Sequence, residues 1–148
     1  MTIKIHSVID AVTGLTYTGI NCKNFDKIPL GMVEKSLPLF FPDPENILTE
    51  PEFTPVTYGT TNRAWDGHYT LNFLLVNSVV GTGRTDKITQ IAEAYDNAFA
   101  ICDKLMATEP LNGAVEFIPG VDKAITLDYS GMKFIAIPVT VKVTEIVQ

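Results

Sequence analysis

Tyr69-Thr70-Leu71-Asn72-Phe73-Leu74-Leu75, followed by Gly81-Thr82-Gly83-Arg84-Thr85-Asp86 and the run to Met106, decides the fold. In an extended chain Tyr69, Leu71, Phe73 and Leu75 point one way, and Thr70, Asn72 and Leu74 the other. A period of two, carried by aromatic and branched residues, predicts a strand with at least one buried face. Two glycines, at 81 and 83, suit a turn and weaken a strand interior. Thr85 then reads as an N-cap, with Asp86 in the first turn meeting the positive end of the helix dipole. Ile88, Ile91, Ala92, Tyr95, Ala98, Phe99, Cys102, Leu105 and Met106 recur in steps of three and one, which holds a single helical face for about five turns. Lys87, Gln90, Glu93, Asp96, Asn97, Asp103 and Lys104 fall on the opposite face, and Pro110 stops the helix. Each large side chain gains roughly 1.5–3 kcal/mol on burial. The expectation is a helix over 85–106 packed on the strand through Ile88, Ile91, Tyr95, Phe99 and Cys102.

Upstream, Ile5, Val8, Ile9 and Val12 are spaced for a short N-terminal helix that begins near Thr2 and ends at Gly14 or Gly19. Residues 13–36 carry no readable pattern. Leu37-Pro38-Leu39-Phe40-Phe41-Pro42-Asp43-Pro44 forbids helix and restricts any strand to an edge. Its three adjacent large residues cannot all face one core. Either the phenylalanines straddle sheet and helix, or one of them faces a neighbouring subunit. Residues 42–64 read as a proline-rich loop with a short strand from Phe53 to Tyr58 and a projecting turn at Thr60-Thr61-Asn62-Arg63. A connection that long inside a domain is uncommon unless it meets a partner.

Beyond the helix, Ala114-Val115-Glu116-Phe117-Ile118 is a strand closed by Pro119-Gly120. Lys123 to Tyr129 alternates, and Ser130-Gly131 turns the chain. Ile135, Ile137, Val139, Val141 and Val143 then share one face of the longest strand, in which Pro138 demands an edge, a bulge or a bend. The order predicts an α+β domain spanning 1–148: a mostly antiparallel sheet, one long amphipathic helix packed on it and a short N-terminal helix.

The 148 residues suit one domain, and a net charge of −6 without a lysine or arginine run argues against a groove that grips phosphates. Cys22 and Cys102 have neither metal nor redox spacing, and Cys102 reads as a buried structural thiol. The first residues lack the pattern of a secretory signal, and the apolar runs are too short to span a membrane, so a reducing cytoplasm is the expected setting. His6 and His68 form no zinc pair and have no nucleophile beside them. Gly81 to Thr85 lacks the lysine of a phosphate loop and the third glycine of a dinucleotide fingerprint. Asp43, Glu45, Glu50 and Glu52 read as a solvated acidic loop. No catalytic residue, metal or cofactor is expected, which suits an interaction or assembly protein.

The order of these segments carries a resemblance. A short helix, the Leu37-to-Pro44 segment, the Trp65-Asp66-Gly67-His68-Tyr69-Thr70-Leu71-Asn72-Phe73 strand, the Gly81-Thr82-Gly83-Arg84 turn, one long helix and closing strands resemble the tail terminator (tail completion) proteins of long-tailed bacteriophages. The resemblance implies a non-enzymatic virion subunit, assembled in the host cytoplasm, that closes into a ring, usually a hexamer. That ring sits on the last ring of tail-tube protein and meets the head–tail connector, with DNA passing through its lumen without specific binding. Leu39, Phe40, Phe41, Arg63 and Trp65 are the residues expected at its subunit or partner interfaces, with an unpaired edge of the last strand as a further contact. Two other readings stand beside it. One is a small-molecule binder with Tyr69, Phe73, Tyr95 and Phe99 around a pocket; the other is an enzyme using His68, Asp66 and Arg63.

Overall fold

A computed structural model describes residues 3–22, 37–58, 62–80, 86–108, 116–129 and 131–147, without the side chains of Thr57, Tyr58, Asn62, Arg63 and Tyr129. The expected Thr85 cap, the glycine turn at 81–83 and most of the unpatterned 13–36 stretch lie outside the described residues. In chain order the elements are α1 (Ile5–Thr13), β1 (Asn21–Cys22), β2 (Leu39–Pro42), β3 (Leu48–Tyr58), β4 (Asn62–Val79), α2 (Lys87–Thr108), β5 (Glu116–Val121), β6 (Ile125–Tyr129) and β7 (Met132–Val147).

The 69–75 alternation lies inside β4, which pairs antiparallel with β7 from Trp65↔Val147 to Val79↔Phe134. Each of these two long strands is flanked on its other edge by two shorter strands set end to end: β3 and β2 beside β4, β5 and β6 beside β7. All of these pairs are antiparallel, and β1 joins β2 in parallel. The fold is α+β, as its sequence implies.

Three corrections concern strands. Most of the 42–64 segment is strand rather than loop: β3 runs through Pro51 and Pro55 and contains the expected Phe53–Tyr58 strand, while Thr60 and Thr61 of the expected turn lie outside the described residues. β4 is its one strand neighbour among the described residues, and an edge strand tolerates residues that lack an N–H. Pro51 also sits where the β3–β4 register slips by one residue, beside Glu50 at φ 53°. Pro119 and Gly120 likewise continue β5 rather than closing it. The last strand offers no long free edge, because β6 covers Met132 to Ala136 and β5 covers Val139 to Thr144. Pro138 falls at the junction between those ladders; its carbonyl faces that side, accepting from the Asp122 N–H, so its missing N–H breaks no ladder bond with β4.

Both faces of the sheet are buried at the β2 end. Tyr69, Leu71, Phe73 and Leu75 meet Val8 and Val12 of α1 and Ala94, Ala98, Ile101 and Leu105 of α2. Leu74 and Val76, on the other face, pack with Leu39, Phe41, Phe134 and Ala136.

The long helix is turned from its expected orientation. Gln90 and Asn97, read as outward-facing, point into the sheet, while Ile88, Phe99 and Met106 are 80%, 54% and 59% exposed. The reason is a bulge in β4: Val76 and Ser78 pair with the consecutive residues Ala136 and Ile135, leaving Asn77 as an extra residue. A bulge frees polar groups that need partners when buried. Asn97 donates to the Asn77 side-chain oxygen at 2.7 Å, and Gln90 donates to the Val79 carbonyl at 2.9 Å. Ala94, between them, and Ala98, next to Asn97, are fully buried against the sheet. Asp86 caps the helix, accepting the Thr89 N–H at 2.7 Å. That bond holds its carboxyl below the usual carboxylate range.

Candidate interaction surfaces

Leu39, Phe40 and Phe41 are buried within the chain's own core. Successive residues of β2 face opposite sides of the sheet, and both sides are covered there. Phe40 stacks on Phe73 with ring centroids 5.3 Å apart, and Phe41 belongs to the cluster on the other face. The expectation that this trio supplies an interface is therefore corrected: the phenylalanines straddle two cores. Arg63 pairs through its backbone with Thr57 near the end of the β3–β4 hairpin.

Trp65 is the expected interface residue that lies at the surface, 38% exposed. With Ile3, Phe53 and Val147 it lines an apolar depression of about 330 Å³. Gly67 shapes it, since a Cβ there would stand 2.9 Å from the Phe53 ring. The missing side chain lets Phe53 lie across β4 toward Tyr69, ring centroids 6.3 Å apart.

Beneath that depression the fold holds a carboxylate that sequence reasoning missed. Glu145 is buried, and its two oxygens accept the Lys4 backbone N–H at 3.1 and 3.2 Å, at the start of α1. The Tyr69 hydroxyl donates to the same group at 3.0 Å. Burial first, and then the hydrogen bond to Glu145, push the Tyr69 phenol above its ordinary range. A sequence signal existed: Glu145 continues the face that carries Val139, Val141 and Val143.

The second surface is the outer stripe of α2. Ile88, Ala92, Tyr95 and Phe99 follow at intervals of four, three and four and form one band, and Met106 lies two turns further along the same side of the helix. Tyr95 and Phe99 stack at 6.2 Å, and the Tyr95 hydroxyl accepts the Ala124 N–H between β5 and β6 at 2.9 Å. The apolar arc seen in the sequence was wider than one helix face can bury, which was the available signal for this band.

The residues of the pocket reading separate. Tyr69 and Phe73 fill the core, whereas Phe99 is on the outside, so the four do not line one cavity. Of the enzyme reading, His68 and Asp66 do meet: His68 Nε2 is 3.1 Å from Asp66 Oδ2 and its Nδ1 is 3.1 Å from Thr144 Oγ1. The cluster stands on the sheet face away from the helices, with both side chains more than a third exposed, where such contacts contribute little. Among the described residues no group of three His, Cys, Asp or Glu side chains is disposed to hold a metal ion, and no helix is long and apolar enough to cross a membrane.

No protein-family model matches the chain, and no curated protein matches it significantly.

Proposed function

We propose that the chain is a phage tail terminator subunit: copies of it close into a ring, hexameric by the resemblance above, at the head-proximal end of the tail. In this reading the ring seats on the last ring of tube protein, meets the head connector and lets DNA pass through its lumen. The observation that carries the proposal is that apolar side chains are left uncovered at two separate surfaces, the α2 band and the Trp65 depression. The largest exposed apolar patch on a chain is often a functional one. A cyclic assembly needs two different surfaces on every subunit, because each contact joins unlike patches. The net charge of −6 fits a lumen through which DNA slides without adhering. The test is the density between tail tube and connector in the assembled particle. A closed ring of this chain there supports the proposal; a single copy, or another protein in that place, removes it.

A further inference from the structure

We infer that α1 is a hinged strap across the inner face of the sheet and that Glu145 is the catch that holds it shut. The inference concerns movement within one chain and stands whether or not copies of it close into a ring.

α1 has little stability of its own. Its nine residues fall short of the roughly 12–15 that an isolated helix needs in water. No side chain on the helix caps its start, its first turn holds no acidic residue, and Lys4 sets a cation at the positive end of the dipole. Glu145, 141 positions away, supplies what a local cap would, its two oxygens accepting the Lys4 N–H.

The two ends of α1 are held differently. At the C-terminal end the Tyr17 hydroxyl donates to the Val12 carbonyl at 2.8 Å, and the Tyr17 ring stands edge-on to Phe40 at 5.6 Å. β1 then pairs with β2, so that end is built into the sheet. Between the ends Val8 and Val12 are fully buried, while Ile5 and Ile9 are packed only in part. At the N-terminal end the polar tie is Glu145. Once Lys4 is let go, α1 can swing about Gly14 without breaking a strand pairing.

The chemistry of the catch suits two positions. Glu145 has no cationic partner among the described residues; the Lys4 N–H and the Tyr69 hydroxyl satisfy it. With α1 closed the carboxylate is hydrogen-bonded, and with α1 open it is hydrated, so neither position leaves it bare. A leucine in its place would favour the closed position alone. The Trp65 depression adjoins this catch: Ile3 precedes Lys4, Val147 follows Glu145 on the same face of β7, and both line the hollow. As α1 swings out Ile3 leaves with it, and the apolar hollow gains an acidic floor of Glu145 beside the Tyr69 hydroxyl.

Hydrogen exchange in low urea tests the strap on the whole chain. Amides of residues 8–14 should exchange through a smaller opening than those of the β4–β7 ladder. Their urea dependence should be weaker, because little surface is bared. Glu145→Gln keeps the size of the side chain and weakens the catch. Exchange at 8–14 should then rise about ten- to a hundredfold, as for the loss of a hydrogen bond to a buried charge. Lys4→Pro is the second variant, and it decides the matter if Glu145→Gln does not fold. It deletes the N–H, suits a helix start, and keeps the Lys4 carbonyl that accepts the Val8 N–H at 2.8 Å. It should speed the same amides by a similar factor, and the two changes together should add little to either. Exchange of residues 8–14 only in step with the β4–β7 ladder overturns the strap. Rates that neither variant raises, or effects that simply add, overturn Glu145 as its catch.

Discussion

Glu145 occupies the face of β7 that otherwise carries Ile135, Ile137, Val139, Val141 and Val143, and a carboxylate can stay there only because its partners are fixed. It takes the N–H at the start of α1, where the helix dipole favours a negative charge, and the Tyr69 hydroxyl completes the set. Tyr69→Phe removes a hydrogen bond to a charged buried group and should cost about 1.5–3 kcal/mol in urea unfolding. An unchanged midpoint would mean that this hydrogen bond adds nothing to the stability of the fold. The thiols give a second residue-scale expectation. Burial pushes Cys22 from 9.0 up to about 11; burial, and then the charge of Asp103, does the same to Cys102. Between those values the unfolded chain releases protons that the folded chain keeps, so this stabilisation is fully present below pH 9.0 and declines as pH rises toward 11. The Tyr17 and Tyr69 phenols, also raised by burial, extend the loss above pH 10.0. Urea midpoints across that alkaline range should fall, and Cys102→Ala should flatten the slope. At this scale the buried place of Cys102 was legible from its helical spacing. The place of Glu145 was legible only in part: it continues the valine face of β7, but charge argues for solvent until a particular partner is known.

At the scale of elements, the alternation from Tyr69 to Leu75 and the period of α2 identified the central strand and the long helix. The orientation of that helix was hidden, because Gln90 and Asn97 turn inward for a bulge that no local pattern announces. The consequence can be measured. Phe99→Ala, at a position 54% exposed, should change stability by no more than about 0.5 kcal/mol, whereas Ile101→Ala, fully buried, should cost about 2–5 kcal/mol. Equal losses would return Phe99 to the core. β3 was hidden for a different reason. Pro51 and Pro55 argue against a strand in general, but not against one whose outer edge meets no ladder among the described residues. Trp65 was a legible surface residue, whereas for Leu39, Phe40 and Phe41 the sequence left burial on two faces and an interface both open, and the structure shows the first.

For the whole molecule, the assembly proposal makes the histidines dispensable. Both side chains are exposed, so a chain carrying His6→Ala and His68→Ala should fold with an unchanged midpoint and still support tail completion. Stoichiometric zinc or iron in the purified protein, or loss of assembly in that variant with the fold intact, would count against it. The pairing of β4 with β7 also bears on how the chain reaches this structure. Trp65 lies opposite Val147, so the two central strands come from distant parts of the chain. During synthesis β4 lacks its longest strand partner until β7 has left the ribosome. Contacts so distant in sequence slow folding and prolong exposure to aggregation. A nascent chain stalled before Met132 should therefore be protease-sensitive along β4 and bound by chaperones, and it should become resistant only once Val147 is free to pair.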